Sequence, residues 1–186
     1  MALTTLDTKT ALILIDLQKG IVSLPTAHST ADVIKHAGAL AEVFRSHCLP
    51  VVLVNVAGGA PGRTEQPRRG GDFPADWTDI VPELNQKPQD HTVTKRTWGA
   101  FTKTDLEQHL KALGVTQVVI AGVSTSVGAE STAREVYALG FNVTLATDAM
   151  TDMNADAHHN SITRIFPKLG ETGTTQEIID LLKKGR

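Results

Sequence analysis

The stretch that decides the fold is Gln117-Val-Val-Ile-Ala121 followed by Gly122-Val-Ser-Thr-Ser-Val-Gly128. Its first half is continuously apolar, which is typical of a strand covered on both faces, and such strands belong mostly to parallel sheets. Its second half is rich in Gly, Ser and Thr and leads into a predicted helix, Ser126–Leu139, which Gly140 ends. A buried strand, a short turn and a helix form the repeating unit of α/β proteins.

The same alternation continues along the chain in both directions. Further buried strands are predicted at Ala11–Leu17, Val51–Val56, Thr92–Lys95 and Asn142–Ala146, with a short one near Leu169–Gly173. A helix is predicted at Ala31–His47, capped by Ser29 or Thr30, and another at Ala155–Phe166, capped by Asn154 and ended by Pro167. Capping boxes at Thr104–Glu107 and Thr174–Glu177 predict two more helices, the first of which ends at Gly114. This order predicts a mostly parallel sheet with helices on both faces.

Composition excludes several classes of protein. The 186 residues suit one domain, predicted over 1–186, and a net charge of −2 argues against a polybasic nucleic-acid binder. The longest apolar run, Ala11–Ile15, is too short to span a bilayer, and no signal peptide is recognisable. A lone cysteine, Cys48, excludes an internal disulfide and a multi-cysteine zinc site. We therefore expect a cytoplasmic protein that binds neither nucleic acid nor membrane.

The segment 57–90 interrupts the alternation. It contains five of the eight prolines and five of the fifteen glycines, together with Arg63, Arg68 and Arg69. A connection of this length in a compact domain is either functional or disordered. We interpret it as an insertion that covers the substrate or contacts another subunit, and an ordinary surface loop fits the sequence equally well.

Three groups of residues come at the carboxyl ends of predicted strands, where ligands bind in open α/β sheets. Asp16 follows the first apolar run, Lys95 ends the third strand with Arg96 behind it, and residues 122–128 open a helix after the fourth. The unpaired N–H groups of a helix start favour negative charge. Each signal alone is weak, and together they predict one pocket containing an acid, a cation and a helix start.

Three sequence blocks resemble the signatures of the isochorismatase-like hydrolases. They are Leu12-Ile-Leu-Ile-Asp16-Leu-Gln18, Lys95-Arg-Thr-Trp-Gly-Ala-Phe101 and Ala121-Gly-Val-Ser-Thr-Ser-Val-Gly-Ala-Glu-Ser-Thr-Ala-Arg134, in the order and spacing of that family. The resemblance implies a three-layer α/β/α sandwich with a six-stranded mostly parallel sheet, and a dimer or larger assembly. It also implies a site built from an Asp, a Lys and usually a Cys, with a cis peptide bond at Val123–Ser124.

The sequence departs from the family at the nucleophile. Gly128 stands where the family usually has its cysteine, and Cys48 lies at the opposite end of the sheet. Ser126, two residues earlier, would point about 200° away from a side chain at 128 on a regular helix. Ser124 and Thr125 are expected to cap the helix or bind a ligand, and Trp98 to line the pocket or an interface.

A second departure concerns metal. The Asp-x-His ligand pair of the nicotinamidases is missing from Asn55-Val-Ala-Gly-Gly-Ala60. His158 and His159 are neighbours on a predicted helix, so their side chains diverge, and we interpret them as a solvated helix start. Neither His28 nor His91 has a recognisable partner. We predict a site without metal or other cofactor.

These features favour an enzyme that acts on a small molecule without a covalent thioester. Isochorismatases hydrolyse a vinyl ether, and this chemistry needs a carboxylic acid to protonate carbon and a water to attack. Asp16 is the candidate acid, Lys95 its partner, and Arg63, Arg68, Arg69 or Arg96 could bind substrate carboxylates. Two alternatives stay open, namely an amidase-like hydrolase that uses Ser126 and a non-catalytic ligand-binding relative.

Overall fold

A computed structural model describes residues 3–66 and 73–184, and its centre is one parallel sheet. The strand order is β3-β2-β1-β4-β5-β6, and every neighbouring pair is parallel. The strands are β1 (Thr10–Ile15), β2 (Val51–Val56), β3 (His91–Lys95), β4 (Gln117–Val123), β5 (Asn142–Thr151) and β6 (Glu171–Gly173). The predicted α/β fold with a six-stranded sheet is thereby confirmed.

Helices cover both faces of this sheet and complete the three layers. They are α1 (Lys19–Val22), α2 (Thr30–Ser46), α3 (Leu106–Ala112), α4 (Glu130–Ala138), α5 (Ala155–Asn160), α6 (Phe166–Leu169) and α7 (Thr175–Lys184), with π-helical turns at Thr125–Ala129 and Ser161–Ile165 and a 3₁₀ turn at Pro82–Leu84. Side chains of α3, α4 and α6 join one buried apolar cluster, and those of α2 and α7 join a second. The alternating residues of β1 divide between the two clusters.

Helix starts follow the sequence signals at three places. The Ser29 side chain accepts a hydrogen bond from the N–H of Asp32, and that of Asn154 accepts one from the N–H of Ala157. The Thr174 N–H donates to the Glu177 carboxylate, whose own backbone N–H donates to the Thr174 hydroxyl. This reciprocal pair forms the predicted capping box.

Two predicted helix limits are wrong. The segment expected to stop at Pro167 continues to Leu169, because a π-helical turn precedes it and the proline falls in the first turn of α6, where a missing N–H breaks no bond. The helix expected after Thr104 begins only at Leu106 and has no side-chain cap at Asp105.

The strand order places the crevice for a ligand next to β1. The chain leaves β1 for β2 on one side, and β4 pairs with β1 on the other, so the connections diverge at the carboxyl ends of β1 and β4. Within the described residues, none of the helices combines the length and the apolar character that crossing a bilayer requires.

Candidate active site

Asp16 and Lys95 form a buried ion pair at the carboxyl edge of the sheet. Asp16 comes directly after β1 and has a positive φ of 51°, while Lys95 is the last residue of β3. Because β2 lies between these strands, the long lysine side chain crosses one strand to reach the carboxylate. Lys95 Nζ lies 2.8 Å from Asp16 Oδ2, and the two side chains are only 2% and 8% exposed.

The hydrogen bonds of the pair distinguish the two carboxylate oxygens. Besides Asp16 Oδ2, Lys95 Nζ donates to the carbonyl oxygens of Thr97 at 3.3 Å and Trp98 at 2.9 Å. An ammonium group has three donors, so all three are used. Asp16 Oδ1, by contrast, is buried and has no hydrogen-bond partner among the described residues. Oδ1 is therefore the carboxylate atom that is free to carry a proton.

The surroundings also change the acidity of Asp16. Burial raises the pKa of its carboxyl from 3.8 to about 6, and the Lys95 ammonium opposes this rise without cancelling it. A carboxyl with this pKa exists in both the protonated and the ionised form close to neutral pH. Such a group can donate or accept a proton under physiological conditions.

Gly128 faces this carboxyl from the π-helical turn after β4. A Cβ atom at this position would lie 3.3 Å from Asp16 Oδ2, 2.9 Å from Ile15 Cγ2 and 3.4 Å from the carbonyl oxygen of Val123. A side chain here would thus stand directly against Asp16, at a position that Ile15 already crowds. The peptide bond between Val123 and Ser124 is cis, as the family resemblance implied.

Ser126 contacts a different carboxylate. Its hydroxyl and its backbone N–H both donate to Asp152 Oδ2, at 2.8 and 2.7 Å, and Asp152 Oδ1 accepts from the N–H of Asn154. Asp152 is buried and follows β5. Sequence reasoning missed it because β5 was expected to end at Ala146. Asp152 is, like Asp16, an aspartate that directly follows a strand, and this pattern could have identified it.

The residues before Ser126 do not cap the helix as expected. Ser124 is buried but makes no side-chain capping bond. The Thr125 hydroxyl donates to the carbonyl oxygen of Thr151 at 3.0 Å, so its oxygen accepts from His158 Nδ1 at 2.8 Å. Ligand binding by Ser124 or Thr125 stays a prediction.

His158 is likewise not the solvated residue that the sequence indicated. Its ring lies 4.6 Å from that of His28, and burial, with a smaller contribution from His28, lowers the pKa of His158. In the part of the chain that the structure describes, no three His, Cys, Asp or Glu side chains are grouped as metal ligands would be.

The remaining candidates lie around the site or outside it. Trp98 contributes its carbonyl oxygen to Lys95, while its side chain is 65% exposed. Arg96 donates to the carbonyl oxygen of Ala57 at 3.0 Å, and Arg63 is on the exposed surface. Cys48 is exposed in the turn before β2, at the amino end of the sheet. Arg68 and Arg69 lie outside the described residues.

Comparisons with known proteins agree with the family resemblance of the three sequence blocks. The protein-family model described as the isochorismatase domain matches residues 10–177. An isochorismatase family protein of Bacillus subtilis, YwoC, is 41% identical over 182 residues, which cover 94% of this chain and 95% of that protein. YecD of Escherichia coli O157:H7, also named for this family, is 38% identical over 180 residues, with coverages of 93% and 96%. The solved structure of an isochorismatase family protein from Burkholderia thailandensis superposes with a TM-score of 0.92 at 39% identity, covering 96% of this chain and 98% of that one.

Proposed function

The chain belongs to the isochorismatase family and is a hydrolase, and we propose that it acts on a small molecule by acid–base chemistry of Asp16 and Lys95 without a cysteine nucleophile. The observation that carries the proposal is the asymmetry of the Asp16 carboxyl. One oxygen is held by Lys95, and the other is buried, unpartnered and part of a group whose pKa is about 6. This arrangement suits a general acid that delivers a proton from Oδ1.

Lys95 acts in this proposal on Asp16 rather than on the substrate. Because its three donors are occupied by Asp16, Thr97 and Trp98, no donor is left for a substrate oxygen. The ammonium fixes the rotation of the carboxyl and keeps part of the population ionised.

The reaction that fits best is the hydrolysis of a vinyl ether such as isochorismate. Asp16 gives its proton to the terminal vinyl carbon, whose double-bond electrons form the new C–H bond. The ether oxygen stabilises the resulting oxocarbenium ion, water adds to the cationic carbon, and the proton that this water loses returns to Asp16. The hemiketal hydroxyl then gives up its proton, the ether oxygen gains one as the C–O bond breaks, and pyruvate and an alcohol are released. No covalent enzyme intermediate is required.

An amidase-like reaction at Ser126 is the second candidate, and one observation favours it. The Ser126 hydroxyl donates to the buried Asp152 carboxylate, which could accept its proton. The same oxygen of Asp152 also accepts the Ser126 backbone N–H, however, which is what a helix-start residue does. We therefore rank this candidate below the Asp16 reaction. A non-catalytic relative would have no use for a buried, unpartnered carboxylate oxygen, since an unpaired polar atom lowers stability.

The test uses isochorismate and measures pyruvate with lactate dehydrogenase. Wild-type turnover supports the vinyl-ether reaction, and its absence removes that substrate class. Asp16→Asn preserves the volume but removes the transferable proton, so turnover should fall about 10²- to 10⁴-fold. Ser126→Ala is the matched comparison and should stay within about threefold of the wild type. If Ser126→Ala loses activity and Asp16→Asn keeps it, the amidase-like alternative replaces our proposal.

A further inference from the structure

The Lys95 ammonium depends on the turn that follows it. Two of its three acceptors are the carbonyl oxygens of Thr97 and Trp98, which belong to a turn over residues 96–102 with no helix or strand of its own. Backbone carbonyls in such a turn hold their direction only if something else holds the turn. The position of Nζ beside Asp16 is thus determined by whatever fixes these two peptide groups.

Helix α4 holds residues 100–102 of this turn through two side chains. One Glu135 carboxylate oxygen accepts from the N–H of Phe101 at 2.9 Å, and the other accepts a short hydrogen bond from the Thr102 hydroxyl. One turn earlier on the helix, the Thr132 hydroxyl oxygen accepts from the N–H of Ala100 at 3.2 Å. Hydrogen bonds to a carboxylate are stronger than those between neutral groups, so Glu135 is the principal anchor.

The packing of the turn shows how closely Glu135 approaches it. A Cβ atom at Gly99 would overlap the Glu135 carboxylate, so only glycine lets that carboxylate lie directly under the turn. Thr132 also links the turn to the helix start, because its hydroxyl donates to the carbonyl oxygen of Gly128 at 2.7 Å. The turn that orients Lys95 and the segment that faces Asp16 are therefore attached to the same helix.

We propose that Glu135 is a positioning residue, which, together with Thr132, fixes the Thr97 and Trp98 carbonyls and thereby holds the Lys95 ammonium against Asp16. Among the described residues, Glu135 forms no hydrogen bond or ion pair with Asp16 or Lys95, so it acts through the turn. The inference rests on the proposed function in one respect: its effect on turnover requires Asp16 and Lys95 to be catalytic. Its effect on the protonation of Asp16 does not require this.

The test compares Glu135→Gln with Glu130→Gln. The amide of Glu135→Gln can accept only one of the two bonds to the turn. Glu130 lies on the same helix, and its carboxylate accepts from Arg134 and Ser161 but does not contact residues 96–102, which makes it a matched control. The first readout needs no substrate. The Asp16 carboxyl is titrated by ¹³C NMR, with its signal assigned by its loss in Asp16→Asn.

We expect Glu135→Gln to raise the pKa of Asp16 by about one unit, because a displaced ammonium lowers it less. Glu130→Gln should leave this pKa unchanged. The second readout is kinetic: Glu135→Gln should reduce kcat about 10- to 100-fold, with KM within about twofold of the wild type. Gly99→Ala, whose methyl group displaces the Glu135 carboxylate, should likewise raise the pKa of Asp16 and reduce kcat.

Thermal melts establish that the variants fold. Should Glu135→Gln not fold, Thr102→Val removes a single bond to the same carboxylate and takes its place. The proposal is overturned if the pKa of Asp16 in Glu135→Gln and in Gly99→Ala equals its pKa in Glu130→Gln. An active Asp16→Asn, in contrast, would defeat the proposed function while the titration still decides the role of Glu135.

Discussion

The pH dependence of turnover provides the sharpest test of Asp16 as an acid. If the protonated carboxyl reacts, turnover must fall as the pH rises through its pKa of about 6. Lys95→Met is the informative perturbation. It removes the charge 2.8 Å from Oδ2 while an unbranched side chain of similar length fills the same space.

The structure sets the size of the expected effect. With a pKa of about 6, roughly one Asp16 in a hundred is protonated at pH 8, so wild-type turnover should fall about 100-fold from its low-pH plateau. An opposite charge at this distance lowers a carboxyl pKa by about one to three units, and Lys95→Met should raise the midpoint by a similar amount. Between pH 6 and 8 the turnover of the variant should therefore fall by about tenfold at most, whereas that of the wild type should fall about 50-fold. Its absolute turnover should be lower, because Asp16 becomes a weaker acid and loses its orientation.

The assay is pyruvate release in timed samples quenched between pH 5 and 9. Lys19→Met is the control, since Lys19 also pairs with carboxylates, those of Asp76 and Asp79, but on the surface. Its profile should match the wild type. A wild-type rate that increases through pH 6 would refute the reasoning, since it would make Asp16 a base. A Lys95→Met midpoint equal to that of the wild type would show that the ion pair does not control the protonation of Asp16.

Four further outcomes are expected. Since the folded protein binds the Asp16 proton more tightly than the unfolded chain, the stability of the wild type relative to Asp16→Asn should be greatest below pH 4 and fall by about 3 kcal/mol as the pH rises to 7, measured by urea unfolding. Gly128→Ala places a methyl group 2.9 Å from Ile15 Cγ2, and this overpacking should reduce the urea-unfolding free energy by about 1–3 kcal/mol, less what the alanine returns in backbone entropy. Dialysis against a chelator should leave turnover unchanged, whereas a loss that zinc or iron restores would contradict the metal-free prediction. Light scattering should give a multiple of 19.9 kDa, because we expect exposed Trp98 to lie in a homo-oligomer contact, and a monomeric mass would exclude this.

The sheet was predictable because its strands are apolar on both faces. Continuous runs such as residues 117–121 are buried between two helical layers, and a strand forms in each of the six predicted places. The end of β1 is Ile15 and not the predicted Leu17, and the end of β5 was misjudged by more. Strand β5 continues to Thr151 through Thr147 and Asp148, whose polar side chains interrupt the apolar run that indicated the strand.

The pair of Asp16 and Lys95 was predictable from strand ends and family blocks, but its supporting residues were not. Asp152, His158 and Glu135 act through hydrogen bonds to residues 26 to 34 positions away, and no local pattern encodes such partners. His158 illustrates the difficulty. Next to His159 it has the sequence of a solvated helix start, and only the packing of Thr125 and His28 against it makes it a half-buried ring with a lowered pKa.

The glycine at position 128 and the acidity of Asp16 belong to one physical argument. A thiol at this position would present Asp16 with a proton to accept, and a carboxylate that accepts protons works best when it is ionised. Here no such donor faces the carboxyl, burial outweighs the nearby ammonium, and Asp16 retains its own proton up to about pH 6. In our proposal, the same ion pair that would serve as a base beside a nucleophile serves as an acid, because position 128 carries no side chain with a proton to give. This is why the missing side chain argues for a different reaction and not for a lost one.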